Sequence, residues 1–343
     1  MGQSEMSLEE TLKLLQTLAN RSLALWDMPA GAAARLINVS ENATYLVEAP
    51  GYKSVLRIHR ENYHSETAID CELAWADALN DQGGITTPGV YVARDGKRIQ
   101  SGIVPGLPAP RFMVLFNFVA GAEPDTAGDP VPLYEELGEI AARTHIHSIG
   151  WTRPEGFERL TWDCGSVFGA RPTWGNWRDG PEVTDGIRAV LERVEQTIKT
   201  RLAAFGKAAD RFGLIHADMR LANLLTDGTG TRLIDFDDCG FGWYLYDFAT
   251  AVSFIEDDPA VPVMKAAWVA GYRRARDLSD EDAQEIDSFI MLRRMALLAW
   301  IGSHIEAPEP QALAVGFARV TAELGKVYLQ SYEAPKAGVK FDA

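Results

Sequence analysis

The chain has 343 residues, 47% hydrophobic and 24% charged, the composition of a globular protein too long for one comfortable core. Its 48 Asp and Glu against 33 Lys and Arg give a net charge of −15, which repels phosphate backbones and anionic lipid, so we expect no nucleic-acid and no membrane partner. The first residues show no signal-peptide pattern, and no apolar run is long enough to span a bilayer. The three cysteines lie far apart, which predicts no zinc site and no disulfide. Together these features predict a cytoplasmic protein.

The sequence pattern of the N-terminal third of the chain predicts a helix followed by strands. Ser7 and Glu10 form a capping box, and leucines then recur at helical spacing up to about residue 29. The runs NATYLVEA and YKSVLRIHR, separated by Pro50 and Gly51, predict a hairpin. A helix in ETAIDCELAWADALN and two strand-like runs, GVYVA and RFMVLFNFV, come next.

The remainder of the chain is predicted to be mostly helical, apart from a loop-rich, tryptophan-rich stretch near residues 150–183. Strong helical patterns lie near residues 131–147, 185–205, 260–276, 280–304 and 309–332. This layout predicts an α+β protein with a small antiparallel-sheet lobe and a larger helical lobe. The predicted divisions are an N-terminal helix over 1–29, an N-lobe over 30–118 and a C-lobe over 119–343.

One stretch carries the residue types that phosphoryl transfer needs, GLIHADMRLANLLTDGTGTRLIDFDDCGFG. Asp218 is followed by Asn223 five residues later, and Asp235 comes twelve further on, at the end of a short apolar strand. A carboxylate must accept or orient the proton of the attacking hydroxyl, and oxygen ligands must hold magnesium on the phosphates. Because the protein-kinase catalytic loop has the same order of groups, we predict Asp218 as the base and Asn223 and Asp235 as magnesium ligands. His216 is interpreted as structural.

The chain resembles the aminoglycoside phosphotransferase and choline kinase superfamily, which shares the protein-kinase fold. HADMRLAN stands where that superfamily has a His-Gly-Asp loop ending in Asn, and IDFDD stands for its second magnesium motif. The resemblance extends from about Val39 to Phe254 and implies ATP and Mg²⁺ as cofactors. In FGWYLYDFA, it implies that Asp247 is a structural residue that supports the catalytic loop.

In the small lobe, SENATYLV resembles the family's phosphate-facing hairpin, although it has no glycine. Backbone amides near Ser40 and Asn42 are predicted to approach phosphate; the alternative is a plain hairpin.

The next strand, YKSVLRIHR, is expected to supply the cation that contacts the α- and β-phosphates. Pattern alignment puts Arg57 there, where protein kinases have Lys. Strand alternation places Val55 and Arg57 on one face and Leu56 and Ile58 on the other, so Val55 would contact adenine. Lys53 is the fallback for the cation.

The partner of this cation is predicted to be Glu72, with Glu66 as second choice; the alternative is that Glu72 is an ordinary solvated helical glutamate. The run RFMVLFNFVAG would lead into the hinge, where backbone groups from Asn117 to Val119 would hydrogen-bond adenine.

Other polar residues near the catalytic loop leave alternatives open. Arg220 lies two residues after Asp218 and is predicted to neutralise charge on the moving phosphoryl group. Asp237 and Asp238 either help to position metal or substrate or form a solvated acidic turn.

The tryptophan-rich stretch has two interpretations. Its aromatic faces either hold an amine acceptor by cation–π attraction or form local core, and the second is favoured, for Trp151, Trp162, Trp174 and Trp177. His145 and His147 are interpreted as structural.

Together these features predict an ATP-dependent kinase that transfers the γ-phosphoryl group to a hydroxyl of a small-molecule acceptor, such as an amino alcohol, amino acid, sugar or aminoglycoside-like compound. One alternative is a bacterial Ser/Thr protein kinase of the stress-response type, with a protein as substrate. The other is a nucleotide-binding pseudokinase, which the presence of Asp218, Asn223 and Asp235 disfavours.

Overall fold

The structure is a computed structural model that describes residues 6–39, 42–125, 128–227 and 230–333. The first third of the chain alternates helices and strands in the order α1 (Leu8–Ser22), β1 (Ala33–Val39), β2 (Ala43–Ala49), β3 (Tyr52–Ile58), α2 (Glu66–Ala78), β4 (Ile99–Gly102) and β5 (Arg111–Asn117). A π-helical turn, Leu79–Gly83, directly extends α2.

Helices dominate the rest of the chain. Its elements are α3 (Val131–Gly150), β6 (Leu160–Trp162), α4 (Cys164–Phe168), α5 (Asp185–Phe205), β7 (Phe212–Ile215), β8 (Leu224–Thr226), β9 (Thr231–Leu233), β10 (Gly240–Trp243), α6 (Tyr246–Ala251), α7 (Val261–Tyr272), α8 (Asp280–Ala283), α9 (Ile286–Ser303), α10 (Pro308–Ala314) and α11 (Phe317–Glu333). The predicted α+β architecture, an antiparallel N-terminal sheet followed by a helical part, is confirmed.

The chain divides into two compact units. The first comprises the described residues within Met1–Glu123, Trp151–Arg159 and Asn223–Asp237, and the second comprises those within Pro124–Gly150, Leu160–Ala222 and Asp238–Ala343. The predicted division assigned every residue after 118 to the C-lobe. In the structure, two later segments, including the one that carries Asn223 and Asp235, belong to the first unit instead.

The first unit is built on a five-stranded antiparallel sheet with the strand order β1-β2-β3-β5-β4. Helix α1 begins at the predicted capping box and buries Leu15 and Leu18 in one core with Leu56 and Ile58 of β3. This helix therefore covers one face of the sheet.

A second, smaller core lies on the opposite side of the strands. Here Ile69 and Leu73 of α2 pack with Val114 of β5 and with the partly buried Val55 of β3. Leu56 and Val55 therefore lie in different cores, which confirms the predicted strand alternation. Because Arg57 has the same parity as Val55, its side chain lies on the α2 side.

The second unit contains a small sheet, in which β10 pairs in parallel with β6 and antiparallel with β7, surrounded by helices. Helix α9 is buried along nearly its whole length, as its almost continuous apolar run requires. Helices α3 and α7 approach very closely because glycines lie at their contact. A Cβ at Gly138 would lie 2.0 Å from the Trp268 carbonyl oxygen, and one at Gly271 would lie 1.8 Å from that of Glu135.

Three predicted elements differ from the structure. GVYVA forms only an isolated bridge between Val90 and Phe116, not a strand. The helical patterns near 280–304 and 309–332 are each interrupted, giving α8 with α9 and α10 with α11. Among the described residues, no helix is long and apolar enough to cross a bilayer.

Candidate active site

A cavity of about 280 Å³ lies within the first unit. Most of its lining is apolar, and a polar end is formed by Arg57, Glu72 and Asp235. The lining includes Val55, Leu73, Ala76, Phe116, Asn117, Val119, Leu225 and Ile234. An apolar pocket with a few convergent charged groups suits a ligand with an aromatic base and a charged tail, such as a nucleotide.

Arg57 is the charged centre of this cavity. Its guanidinium Nη1 lies 2.6 Å from Glu72 Oε1 and its Nη2 lies 2.9 Å from Asp235 Oδ1, while the side chain is 9% exposed. Burial alone would lower the pKa of Arg57, but the nearby charges of Glu72, Asp235 and Asp237 raise it above its usual value. The arginine is therefore a fixed cation, and Glu72 is buried beside it rather than solvated.

Asn223 and Asp235 lie at the same end of the hairpin that β8 and β9 form. Leu224 pairs with Leu233, and the Ile234 N–H donates to the Asn223 carbonyl at 3.0 Å. Asn223 and Asp235 are twelve residues apart in sequence, and the pairing of the two strands therefore brings their backbones close together. Asp235 has a left-handed backbone with φ +61°, and its side chain is 46% exposed, facing the cavity.

The oxygen ligands of Asn223 and Asp235 fit the magnesium ion that the family resemblance implies. One amide and one carboxylate oxygen are hard donors of the kind that Mg²⁺ takes from proteins, with substrate phosphates supplying further ligands. Within the described ranges, no group of three or more His, Cys, Asp or Glu side chains could hold a metal. An ion here would therefore depend on the phosphates as well as on the protein.

Asp237 is buried, so the interpretation of this residue as part of a solvated acidic turn is wrong. Its carboxylate lies 3.5 Å from Arg57 Nη1, 3.5 Å from His59 Nδ1 and 3.6 Å from His64 Nε2. Burial opposes its ionisation, yet its polar neighbours His64 and Arg57 lower its pKa. Arg159 also donates to the Asp237 carbonyl. Asp237 thus ties the loop after Asp235 to strand β3.

The predicted catalytic loop lies in the second unit up to Ala222 and is held by Asp247. The Asp247 carboxylate accepts the backbone N–H of Ala217 at 2.7 Å and that of His216 at 3.2 Å, and its Oδ2 lies 2.9 Å from His145 Nε2. Ala217 stands where the superfamily has glycine and adopts φ +65°, a conformation that costs a residue with a Cβ about 1–2 kcal/mol. The hydrogen bonds to Asp247 stabilise this strained backbone.

The predicted base, Asp218, lies between two arginines. Asp218 Oδ1 is 2.7 Å from Arg293 Nη2, and Oδ2 is 3.4 Å from Arg220 Nε. Arg220 in turn donates to Glu309 at 2.7 Å. The Asp218 N–H donates to His216 Nδ1 at 3.2 Å, so His216 braces the loop from inside, as its buried ring requires.

The structure answers the open question about the tryptophans in favour of local core. Trp162, Trp174 and Trp177 are at most 5% exposed. The Trp162 indole donates to the Asp238 carbonyl at 2.7 Å, and the Trp177 indole donates to Glu195 at 2.9 Å. These three rings therefore belong to the local core and present no open aromatic face to an amine, whereas Trp151 is partly buried and packs on Phe157.

The remaining predicted contacts are placed as follows. Ser40 lies outside the described residues. Asn42 is buried, and its side chain accepts the Arg60 N–H at 3.0 Å, so it holds the start of the hairpin. The Asn117 N–H donates to the Gly89 carbonyl at 2.8 Å, so this donor is already used within the protein. Lys53 is 52% exposed and pairs with Glu48 at 3.3 Å.

Residues that sequence reasoning missed are Arg293, Glu309, His59, His64 and Arg159. Their partners lie far away in sequence, so spacing gave no signal. One signal was present for Arg293, because a charged residue inside an apolar helical run such as IMLRRMALL must find a buried partner.

Comparison with known proteins identifies relatives over most of the chain. Residues 33–280 match the model of the phosphotransferase enzyme family. A solved microcompartment-associated aminopropanol kinase is 44% identical, with a TM-score of 0.85 over 92% of this chain and 98% of that one. Amicoumacin kinase of Bacillus subtilis (strain 168) is 25% identical over 275 residues, 77% of this chain and 78% of that protein. The amicoumacin kinase hAmiN, solved with AMP-PNP, Ca²⁺ and Ami, is 19% identical and has the same fold, with a TM-score of 0.72 over 90% of this chain and 93% of that one.

The family match covers well over half of the residues, including the whole stretch from the small-lobe sheet to Asp247. The predicted resemblance to aminoglycoside phosphotransferases and choline kinases is confirmed, as is the predicted enzyme class. The chain belongs to the phosphotransferase enzyme family.

Proposed function

We propose that this phosphotransferase uses ATP and Mg²⁺ to phosphorylate the hydroxyl of a small amino alcohol. The observation that carries the acceptor class is the 44% identity to an aminopropanol kinase over nearly the full length of both chains. The net charge of −15 also favours a cationic acceptor over an anionic one. The proposal keeps the predicted cytoplasmic location, because the three cysteines lie far apart in the sequence.

The roles of the first unit follow from its cavity. Val55 and the apolar lining would hold the base, with Asn117 and Val119 at the hinge, while Arg57 would contact the α- and β-phosphates. Glu72 keeps the Arg57 guanidinium in place at 2.6 Å. Asn223 and Asp235 would hold magnesium, which neutralises charge on the phosphates and orients them. Ser40 and Asn42 belong to the predicted phosphate-facing hairpin.

The roles of the second unit concern the acceptor. Asp218 would accept or orient the hydroxyl proton, so that the oxygen attacks the γ-phosphorus as the bond to the β-phosphate oxygen breaks. Arg220 would offset charge on the phosphoryl group as it moves. Positioning and charge stabilisation supply most of the rate enhancement in this chemistry, so side-chain geometry matters more than covalent assistance.

A substrate panel tests the proposal. The enzyme is incubated with ATP and Mg²⁺ and with aminopropanol, ethanolamine, choline, homoserine, an aminoglycoside or a generic protein substrate, and the product is identified by phosphorus NMR and mass spectrometry. We expect a phosphorylated amino alcohol. Phosphorylation of the protein alone would favour the protein-kinase alternative, and nucleotide binding without turnover of any acceptor would favour a pseudokinase.

A further inference from the structure

Arg293 contacts the predicted base directly, and it comes from helix α9, remote in sequence from the predicted catalytic loop. Its Nη2 donates to Asp218 Oδ1 at 2.7 Å. Its Nε donates to Ser253 Oγ at 3.1 Å and its Nη1 to the Ala217 carbonyl at 3.5 Å. The guanidinium carbon also lies 5.0 Å from the centre of the Trp174 ring.

The side chain is locked in this position. Arg293 is 2% exposed, so it has no access to bulk water as an alternative partner. Burial alone would lower the pKa of Arg293, but Tyr246, Asp218 and Asp238 raise it, so the group stays charged. The planar guanidinium of Arg293 has little freedom to turn, because it contacts Ser253, the Ala217 carbonyl and the Trp174 ring.

This arrangement is poorly explained by stability alone. Replacing a buried ion pair by apolar side chains of similar volume is often neutral or stabilising, so a buried arginine is weak evidence for a stabilising role. The Arg293 guanidinium does fix the orientation of the Asp218 carboxylate, because it is itself held in place and donates a hydrogen bond to Asp218 Oδ1. Misplacement of a reacting group by about 1 Å can cost about 10²-fold in rate.

We propose that Arg293 is the positioning residue for phosphoryl transfer in this enzyme: its buried guanidinium fixes the orientation of the Asp218 carboxylate that receives the acceptor hydroxyl. This inference rests on the proposed role of Asp218 as base. Arg293 itself is too deeply buried to contact the acceptor, and it acts through Asp218.

The chain offers a matched control in the adjacent residue. Arg294 is equally buried at 2% exposure, and it pairs with Glu256, donates to Thr321 Oγ1 at 3.0 Å and lies 3.6 Å from the Phe317 ring centre. It therefore makes the same kinds of contact from the same helix, but to residues outside the proposed catalytic machinery.

The experiment compares Arg293→Met, Arg293→Lys, Arg294→Met, Asp218→Asn and the double variant Asp218→Asn/Arg293→Met, with the amino alcohol identified by the panel. Thermal unfolding and nucleotide binding establish that each variant is folded. Steady-state kinetics then give kcat and the KM values for ATP and acceptor. Where Arg293→Met does not fold, the same double-variant comparison is made with Arg293→Lys.

For Asp218→Asn we expect kcat to fall by about 10²–10⁴ with ATP binding retained. For Arg293→Met we expect a fall in kcat of about 10²-fold with KM for ATP within about twofold, and for Arg293→Lys a partial recovery. Arg294→Met should keep kcat per folded molecule. In the Asp218→Asn background, loss of Arg293 should change kcat by no more than about twofold, because the group that it orients is already inactive.

Two results would overturn the proposal. One is a folded Arg293→Met enzyme with a near-normal kcat. The other is a double variant in which the two losses multiply, which would show that Arg293 acts independently of Asp218. A different result, wild-type turnover by Asp218→Asn, would instead remove the base assignment itself, so failure of the two proposals can be told apart.

Discussion

Asp235 lies two residues after strand β9 and has a left-handed backbone, with its carboxylate 2.9 Å from Arg57 and facing the cavity. If this carboxylate is a magnesium ligand, Asp235→Asn removes a charged oxygen from a doubly charged ion. We expect magnesium-dependent nucleotide affinity to fall by about 10–100-fold or more. Isothermal titration of a non-hydrolysable ATP analogue over a range of magnesium concentrations measures this change.

The sign of the effect without magnesium provides a control. Removing a negative charge beside the phosphates should leave magnesium-free nucleotide binding unchanged or improve it. Asp227→Asn is the matched variant, since Asp227 directly follows strand β8 of the same hairpin and pairs with Arg232. An unchanged magnesium dependence in Asp235→Asn would show that another group holds the ion.

His59 is one of the residues that surround Asp237, and its protonation makes the stability of the protein depend on pH. Burial lowers its pKa to about 4, with opposing contributions from Asp237 and Glu72 and supporting ones from Arg57 and His64. A histidine whose folded pKa lies below its unfolded value of about 6.5 takes up a proton on unfolding, so stability is lost as pH falls from about 6.5 towards 4. Over that window the contribution is at most about 3 kcal/mol.

We therefore expect His59→Gln to show a shallower loss of unfolding free energy between pH 6.5 and 4.5 than the wild-type protein. Urea unfolding at several pH values measures both curves. His145 and His147, whose pKa values are also lowered by burial, remain in both proteins, so the difference between the curves isolates His59. Parallel curves would mean that His59 is protonated to the same extent in the folded and unfolded states.

At the scale of elements, strand β3 determines which cation faces the cavity that is proposed to bind the nucleotide. Its alternation places Arg57 in the cavity, whereas Lys53 lies near the hairpin turn, half exposed and paired with Glu48. We expect Arg57→Ala to raise KM for ATP and lower kcat together, because the Glu72 ion pair that orients α2 is lost as well. Arg57→Lys should recover part of the activity, since Lys keeps the charge without the planar fork.

Lys53→Ala is the register control for this strand and should leave the kinetics nearly normal. Steady-state measurements with varied ATP compare the three variants after each is shown to be folded. A large loss of kcat/KM for ATP in Lys53→Ala, with nearly unchanged kinetics in Arg57→Ala, would contradict the placement of β3 in the site. The assignments of Val55 and Glu72 would then be wrong as well.

The elements that sequence predicted well are those whose pattern is local. The β2–β3 hairpin follows from alternation on both sides of Pro50 and Gly51, and helix α1 follows from its capping box. Strand β4, Ile99–Gly102, was missed because its pairing depends on β5 rather than on its own short sequence, IQSG. GVYVA has strand-forming residues but makes only one bridge, because tertiary pairing overrides local preference.

In the candidate site, too, residues that share a local sequence pattern were predicted, whereas residues brought in by tertiary packing were not. The sequence predicts Asp218, Asn223 and Asp235 as site residues because phosphoryl transfer requires a fixed order of groups within one stretch, and it predicts Glu72 because a cation in a cleft needs a partner. Arg293 lies 75 residues from Asp218, in a helix whose other residues indicate only burial. The contacts of Asp237 with His59 and His64 join residues that are still further apart in sequence. Such contacts are set by packing, which spacing in sequence does not encode.

For the molecule as a whole, the excess of 15 negative charges sets how charged ligands approach. An acidic surface attracts a protonated amino alcohol and repels the magnesium complex of ATP, which remains anionic. Salt screens both effects, because the Debye length falls from about 30 Å at 0.01 M ionic strength to below about 8 Å at physiological values. The two substrates of one reaction should therefore respond to salt in opposite directions.

This leads to a prediction that needs no mutation. Between about 0.01 M and about 0.3 M potassium chloride, kcat/KM for the amino alcohol should fall by roughly threefold or more, while kcat/KM for the magnesium complex of ATP should rise or stay constant. Because kcat at saturation no longer depends on encounter, it should change little, and it serves as the control for general effects of salt on the enzyme. The measurement is steady-state kinetics with each substrate varied in turn at constant free magnesium. A parallel fall for both substrates would indicate a general salt effect on the protein. An acceptor whose kcat/KM is insensitive to salt would indicate that it reaches the site as a neutral molecule, which would argue against an amine as the physiological acceptor.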